Sequence, residues 1–373
     1  MRHVVLANRD SKRWLAWSRD LDSFCRERGV SPDVELVPWK DVVPCDGNLD
    51  DLPAFDRPAL VRLESPGRDW EVTRLLLQAG ARDINSHNDI DWLGLPHRKG
   101  LLVRPGLLHR GFVRVLRGLR HSLDRRPHLT PLACPLAVAE MFDKNVTAAR
   151  LQSAGLPCPP SLPAPPTAAE LLERLRANAW PTAYVKLAAS SSATGIAVVH
   201  PLAPQPFAVT TLIRLPQGFH STRRLREVRG SGLLETLQFI LDEVACVQRG
   251  IAMAQIDGQN FDVRVIVIRG RVAFTVFRVS PAPMTNLHLG GRRGSSEVCR
   301  AAIPRRAWLD ALDHCVEAAR LYPCAMVGID VLFERDYLRH HILELNAFGD
   351  FFPGLLDDDG RSVHRREIEA EMT

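Results

Sequence analysis

The run "FDVRVIVIRGRVAFTVFRVS", residues 261–280, constrains the fold most. Two stretches rich in β-branched and aromatic residues meet at Arg269-Gly270, and so short a connection joins neighbouring strands only antiparallel. The N-terminal part asks for the opposite arrangement. There "HVVLAN", "DVELVPW" and "PALVRL" read as strands, with "SKRWLAWSRDLDSFCRERG" and "WEVTRLLLQAG" as helices between and after them. That alternation predicts a small open parallel sheet covered by helices. With 373 residues, 46% of them hydrophobic and 24% charged, the chain is long enough for both arrangements. The expected class is therefore α/β (α+β).

Between and beyond these regions the pattern changes several times. Residues 97–128 carry nine arginines and lysines against the single acid Asp124. Within them "LLHRGFVRVLRGLRHSL" is amphipathic, with Leu108, Phe112, Val115, Leu116, Leu119 and Leu123 at helical spacing and Arg110, Arg114, Arg117 and His121 opposite. A helix ending at Gly155 precedes the proline-dense connector "LPCPPSLPAPPT", and a further helix is expected from Ala168 to Ala179. "TAYVKLAASSSATGIAVVH" reads as strand, small polar loop and strand. A polar stretch follows, then "LLETLQFI" and "ACVQRGIA" as strands. The chain continues into the hairpin, the helix "RRAWLDALDHCVEAARL" and the strands "AMVGIDVLF" and "HILELNAF".

No apolar run approaches the roughly 20 residues that span a bilayer, and the start lacks a signal-peptide pattern, so the expected location is cytoplasmic, with no membrane partner. Eight cysteines are scattered without a C-x-x-C pair, which argues against a zinc site or a disulfide framework and makes most of them small buried hydrophobes. The motifs G-x-x-x-x-G-K-[ST], G-x-G-x-x-G, G-x-S-x-G and H-E-x-x-H do not occur.

Lysine is scarce: Lys12, Lys40, Lys99, Lys144 and Lys186 are the only ones, every other cation being arginine. Lys186 precedes a loop of Ser190, Ser191, Ser192, Thr194 and Gly195, whose small residues and hydroxyls suit a phosphate, while Lys144 opens a helix after "MFD". In "GIDVL" and "LELNAF", Asp330, Glu344 and Asn346 fall on strands that read as neighbours. Glu344 and Asn346 share one face there, and Leu343 and Leu345 share the other. Two carboxylates and an amide oxygen are hard ligands of the kind magnesium takes together with substrate phosphates. Asp262, Arg264, Arg278 and Asn286 add charge and polarity around the same expected cleft.

In their order, "FDKNVTAARLQSAGLPCPPS", "YVKLAASSSATGI", "FDVRVIVIRGRVAF", "NLHLGG", "GIDVL" and "LELNAF" resemble the ATP-grasp superfamily, and most of all its RimK-like carboxylate-amine ligase branch, over residues 139–355. The resemblance implies nucleotide bound between two α/β subdomains behind a pre-ATP-grasp domain. It divides the chain into 1–90, that N-terminal domain; 91–135, a basic helical insertion or linker; 136–245, the subdomain with the phosphate lid; and 246–373, the subdomain with the magnesium site. It implies ATP on Lys144, Lys186, Ser191, Ser192, Thr194, Gly195, Gln248 and Asp262, and Mg2+, with Mn2+ as its substitute, on Asp330, Glu344 and Asn346. Arg264, Arg278 and Asn286 would face the reacting groups.

The implied reaction is an ATP- and Mg-dependent ligation of a carboxylate to an amine through an acylphosphate, the substrates being small molecules, amino acids or peptides. The alternatives are a non-catalytic nucleotide-binding partner in a multienzyme assembly and a kinase on the same fold. By analogy, a loop with Arg62, Glu64 and Arg68 would touch the carboxylate substrate. The basic helix would recruit an acidic peptide or protein, and nucleic acid is the least favoured partner. Two departures stand out: Arg249 follows Gln248 where the family carries glutamate, and "AFGDFFPGL" lengthens the turn after the E-x-N strand.

Overall fold

The computed structural model describes residues 2–67, 69–83, 90–191, 193–349 and 352–372, arranged as three sheets with their helices. The first sheet has the order Asp33–Val37, Arg2–Leu6, Ala59–Leu63, Leu129–Pro131, all parallel. A parallel sheet must be covered on both faces, and the alternation of its first strand shows how. Val4 and Leu6 pack with Phe112, Val115 and Leu116, while Val5 and Ala7 pack with Trp17, Leu21 and Ile368. Helices Trp70–Asp83 and Pro105–Asp124 therefore cover one face, and helices Lys12–Glu27 and Val363–Met372 the other.

Much of the stretch expected as an insertion, 91–135, is instead part of this layer, while Leu101 and Leu102 bridge to strand Gly218–Arg229 of the second sheet. It supplies the helix Pro105–Asp124 and the fourth strand. The helix lies so close to its neighbour that a Cβ at Gly111 would come within 1.8 Å of the Leu76 carbonyl oxygen. The apolar stripe outweighs the arginines in deciding where the helix sits.

The second sheet is antiparallel, in the order Ser161–Leu162, Ala245–Arg249, Ala183–Leu187, Ile196–His200, Phe207–Leu215, Gly218–Arg229. Its last two strands occupy the stretch that reads only as polar. "LLETLQFI" is not a strand but part of helix Gly230–Asp242, and the reason is periodicity. Leu233, Thr236, Leu237 and Ile240 are buried at spacings of three and four, against Leu171, Leu175 and Val185.

The third sheet runs Arg292–Arg293, Arg271–Ser280, Gln259–Ile268, Met326–Phe333, His340–Asn346, with Gln255–Ile256 paired to the third of these. Arg269 and Gly270 both take positive φ, +49° and +74°, as a tight two-residue hairpin turn requires. Helix Arg305–Arg320 covers the back, where Trp308 stacks on Phe277 with centroids 5.5 Å apart. All eight cysteines are free; Cys25, Cys246, Cys299 and Cys315 are buried and Cys45 is exposed. Among the described residues no helix is long and apolar enough to cross a membrane.

Candidate active site

The second and third sheets line a cleft that is open to solvent. On strand Ala183–Leu187, Val185 and Leu187 enter the core while Tyr184 and Lys186 turn to the cleft. Lys144 opens helix Lys144–Ser153, whose first turn is fixed by the Asp143 carboxylate accepting from the backbone N–H of Asn145 at 2.9 Å and of Val146 at 3.3 Å. The Lys144 Nζ donates to the Ser190 carbonyl at 2.6 Å and lies 3.9 Å from Glu344 Oε2. Burial pushes the Lys144 pKa down; Glu344 opposes that shift and Lys186 adds to it. Phosphate oxygens arriving beside Lys144 would favour its charged form.

Ser190, Ser191, Ala193 and Thr194 of the small-residue loop line the cleft; Ser192 lies outside the described residues. Gly195 does not line it. It holds φ +67°, and a Cβ there would come 2.4 Å from Leu187 Cδ1, so its part is to let the loop turn back into the sheet.

The third sheet contributes two rows of charge. Asp262 stands opposite Arg278, and two residues on Arg264, Asp330 and Glu344 lie side by side on three strands. Arg278 donates from Nε to Asp262 Oδ1 at 2.8 Å and reaches Asp330 Oδ1 at 3.1 Å. Arg264 bonds both oxygens of Asp330, with Nη2 3.1 Å from Oδ2, and donates to the Gly349 carbonyl at 3.3 Å. Burial pushes the Asp262 carboxyl up against the pull of Arg278. Burial acts the same way on Asp330, but Arg264 and Arg278 together win and hold it well below the usual carboxylate range.

The strict alternation expected around Glu344 fails at one residue. Asp330 pairs with Glu344 and Val331 with Ile342, so Leu343 is an extra residue in a bulge. The bulge brings Leu343 into the cleft beside Glu344, while Leu345 stays in the core. Asn346 pairs with Gly328, donates to its carbonyl at 3.4 Å and does not line the cleft.

Gln248 is buried and lines the far end with Arg249, Ile251 and Met253. Asn286 lines the near end, its Oδ1 accepting from His288 N at 2.8 Å. Arg264 acts from behind, through Asp330. Asp330 and Glu344 are two hard carboxylates side by side at the cleft wall, a donor set that fits Mg2+, which takes few protein ligands and completes its shell with water and phosphate. Tyr184, Thr285 and Leu332 are among the lining residues that went unread in the sequence. Tyr184, two residues before Lys186 and so on its face, donates to the Pro283 carbonyl at 2.6 Å, and burial pushes its phenol up to about 12. Thr285 hydrogen-bonds Asp262, and Leu332 closes the apolar end.

Two expected substrate contacts are placed elsewhere. Arg62 and Glu64 are buried, Arg62 bonding Glu64 at 2.8 Å and Glu367 of the last helix at 2.6 Å, because that helix seals their face of the sheet. Arg68 lies outside the described residues. On the basic helix, Arg114 pairs with Asp46 at 2.9 Å, Arg125 and Arg126 with Asp50, and Arg120 with Asp124, so much of its charge is answered within the chain.

No family model matches the chain, and no curated protein matches it. Solved structures do. A structure of the ATP-grasp ligase PsnB complexed with minimal precursor superposes with a TM-score of 0.53 at 18% identity, over 100% of this chain and 98% of that one. The D-cycloserine synthetase DcsG gives 0.55 at 13% identity over 100% and 99%. The macrocyclase MdnC bound with precursor peptide MdnA from Microcystis aeruginosa MRC gives 0.53 at 12% identity over 99% and 98%.

Proposed function

The chain has the ATP-grasp fold, and on that premise we propose that it is an ATP- and magnesium-dependent carboxylate-amine ligase. The observation that carries this reading is the convergence of Lys144, Lys186, the loop 190–195, Arg278, Asp330 and Glu344 on one cleft between two sheets. PsnB is described with a minimal precursor and MdnC with a precursor peptide, which favours a peptide as one substrate here; small amino acids are the other class.

In this reading Lys144 and Lys186 bind the phosphates, and the backbone and hydroxyls of Ser190, Ser191 and Thr194 close over them. The base lies among Gln248, Ile251, Met253, Leu332 and Leu343, with Gln248 supplying the polar contact. Asp330 and Glu344 would hold magnesium, which when bound supplies neutralisation of the phosphoryl oxygens. Asn346 stands just outside that edge and would join it as a third oxygen donor, as the family pattern implies. The substrate carboxylate attacks the γ-phosphorus and ADP leaves; the amine then attacks the acyl carbon of the acylphosphate, phosphate leaves, and the amine gives up a proton. Arg278, kept cationic by Asp262 and Asp330, faces the oxygens on which charge builds, and Asn286 donates beside it. Arg264 fixes Asp330.

ADP release across a panel of amino acids and peptides, with Mg-ATP saturating, tests the proposal. ADP formed only when an acid and an amine are both present supports it; ATP binding without turnover on any pair contradicts it.

A further inference from the structure

Arg293 belongs to the two-residue strand Arg292–Arg293 at the edge of the third sheet, in register with Arg278. Residues opposite one another in an antiparallel pair share a face, so Arg293 stands on the face that Arg278 gives to the cleft, one strand further out. Arg292 points the other way, where it lines a separate surface pocket with Val279 and Cys299.

Two like charges in this relation repel unless each is answered. Arg278 is answered twice, by Asp262 and Asp330. Arg293 is exposed, and with the described residues it forms no ion pair. Its Nη2 donates to the Pro353 carbonyl at 3.2 Å, and its guanidinium carbon lies 5.3 Å over the Phe352 ring. A neutral carbonyl and a ring face orient a guanidinium without cancelling its charge. The strand itself is pinned, since Gly294 N–H donates to the Phe277 carbonyl at 2.9 Å and a Cβ on Gly294 would press on Cys299 and Val279 at 3.0 Å.

Pro353 and Phe352 close the stretch "AFGDFFPGL", where the sequence leaves the family pattern. The same stretch is held from two other sides, by Arg13 at the Phe348 carbonyl and by Arg264 at the Gly349 carbonyl. Arg264 also holds Asp330. Through Arg264 the stretch is anchored beside Asp330 at the cleft wall, and next to it stands an oriented guanidinium that has no ion pair among the described residues.

We propose that Arg293 binds a carboxylate of the acid substrate and so determines which acids the enzyme accepts. The inference rests on the ligase reading above. The favoured class is an acid with a second carboxylate, free or within a peptide, because the group held by Arg293 lies one strand outward from the carboxylate that Arg278 accompanies through phosphorylation.

The test is steady-state ADP release by wild type, Arg293→Gln and Arg293→Lys on mono- and dicarboxylic amino acids and on peptides containing Asp or Glu, with melting temperature as a check of folding. Losing a charged, hydrogen-bonded partner is expected to raise KM for the dicarboxylic substrate about 10- to 100-fold. The KM for ATP and the melting temperature should stay where they are, and the lysine variant should fall between. Equal KM values for Arg293→Gln and wild type, or a matching rise in the KM for ATP, overturn the inference and leave the ligase reading standing. A wild type that makes no ADP with any acid removes the ligase reading, and this inference with it.

Discussion

The third sheet and the first layer each bury a cluster of ionisable side chains, and only one of the two clusters meets open space. Asp262, Arg264, Arg278 and Asp330 are 3–6% exposed, two cations against two anions, with partners set opposite one another by the strand register. Three of them line the cleft. In the first layer His3, Arg62, Glu64, His364, Glu367 and Glu371 are just as buried, but none lines the cleft. There Arg62 alone answers three carboxylates, at 2.8 Å for Glu64, 2.6 Å for Glu367 and 3.9 Å for Glu371, with His3 3.4 Å from Glu371 and His364 3.6 Å from Glu367.

Burial and displaced titration therefore do not by themselves mark a functional site. The first-layer cluster fastens the last helix to the sheet. The third-sheet cluster keeps its charges compensated while presenting them to the cleft.

Removing the central arginine of each cluster should have the largest effect. Arg278→Met and Arg62→Met each strand buried carboxylates, and each should cost about 3–5 kcal/mol in denaturant unfolding. Only Arg278→Met should also weaken activity in the protein that remains folded; if Arg62→Met does so too, the separation of roles is wrong. Next in size, Glu344→Gln should lower ADP formation about 100- to 1000-fold. It should leave the unfolding midpoint nearly unchanged, since its side chain is 31% exposed and its cationic neighbour is 3.9 Å away.

A subtler change sharpens the contrast. Burial raises the Glu371 carboxyl above its ordinary range, with Glu367 adding to the shift and His3 and Arg62 opposing it. A carboxylate raised in the folded state contributes stability at low pH that is lost as pH rises through its folded value. Glu371→Gln should therefore be more stable than wild type at about pH 8, with the difference closing toward about pH 4. Thermal unfolding across that range reads the sign, and a difference that grows on acidification would refute the assignment. Smallest of all, Arg114→Ala on the basic helix removes a partly exposed pair with Asp46, and should change stability by under about 1 kcal/mol and ADP formation not at all.

Much of the cleft is legible in the sequence because it rests on local signals. The scarcity of lysine picks out Lys144 and Lys186, and the two strands bearing Asp330 and Glu344 are interrupted by charge where they otherwise read as core. What escapes is set by distant partners. Arg114 and Arg126 look like a free basic face until Asp46 and Asp50 arrive from a loop some 70 residues away in the chain. The Leu343 bulge depends on register with Val331, which no pattern within one strand encodes. "LLETLQFI" is apolar enough for either element, and its helical spacing is decided by the sheet that it covers.

In the ligase reading this cleft activates a carboxylate. Trapping with hydroxylamine tests it most directly, in the presence of Mg-ATP and the acid that supports ADP release, with the amine left out. A hydroxamate should form in step with ADP, and in Glu344→Gln both should fall together by about 100- to 1000-fold. ADP formation that leaves phosphate on a hydroxyl and yields no hydroxamate would contradict it.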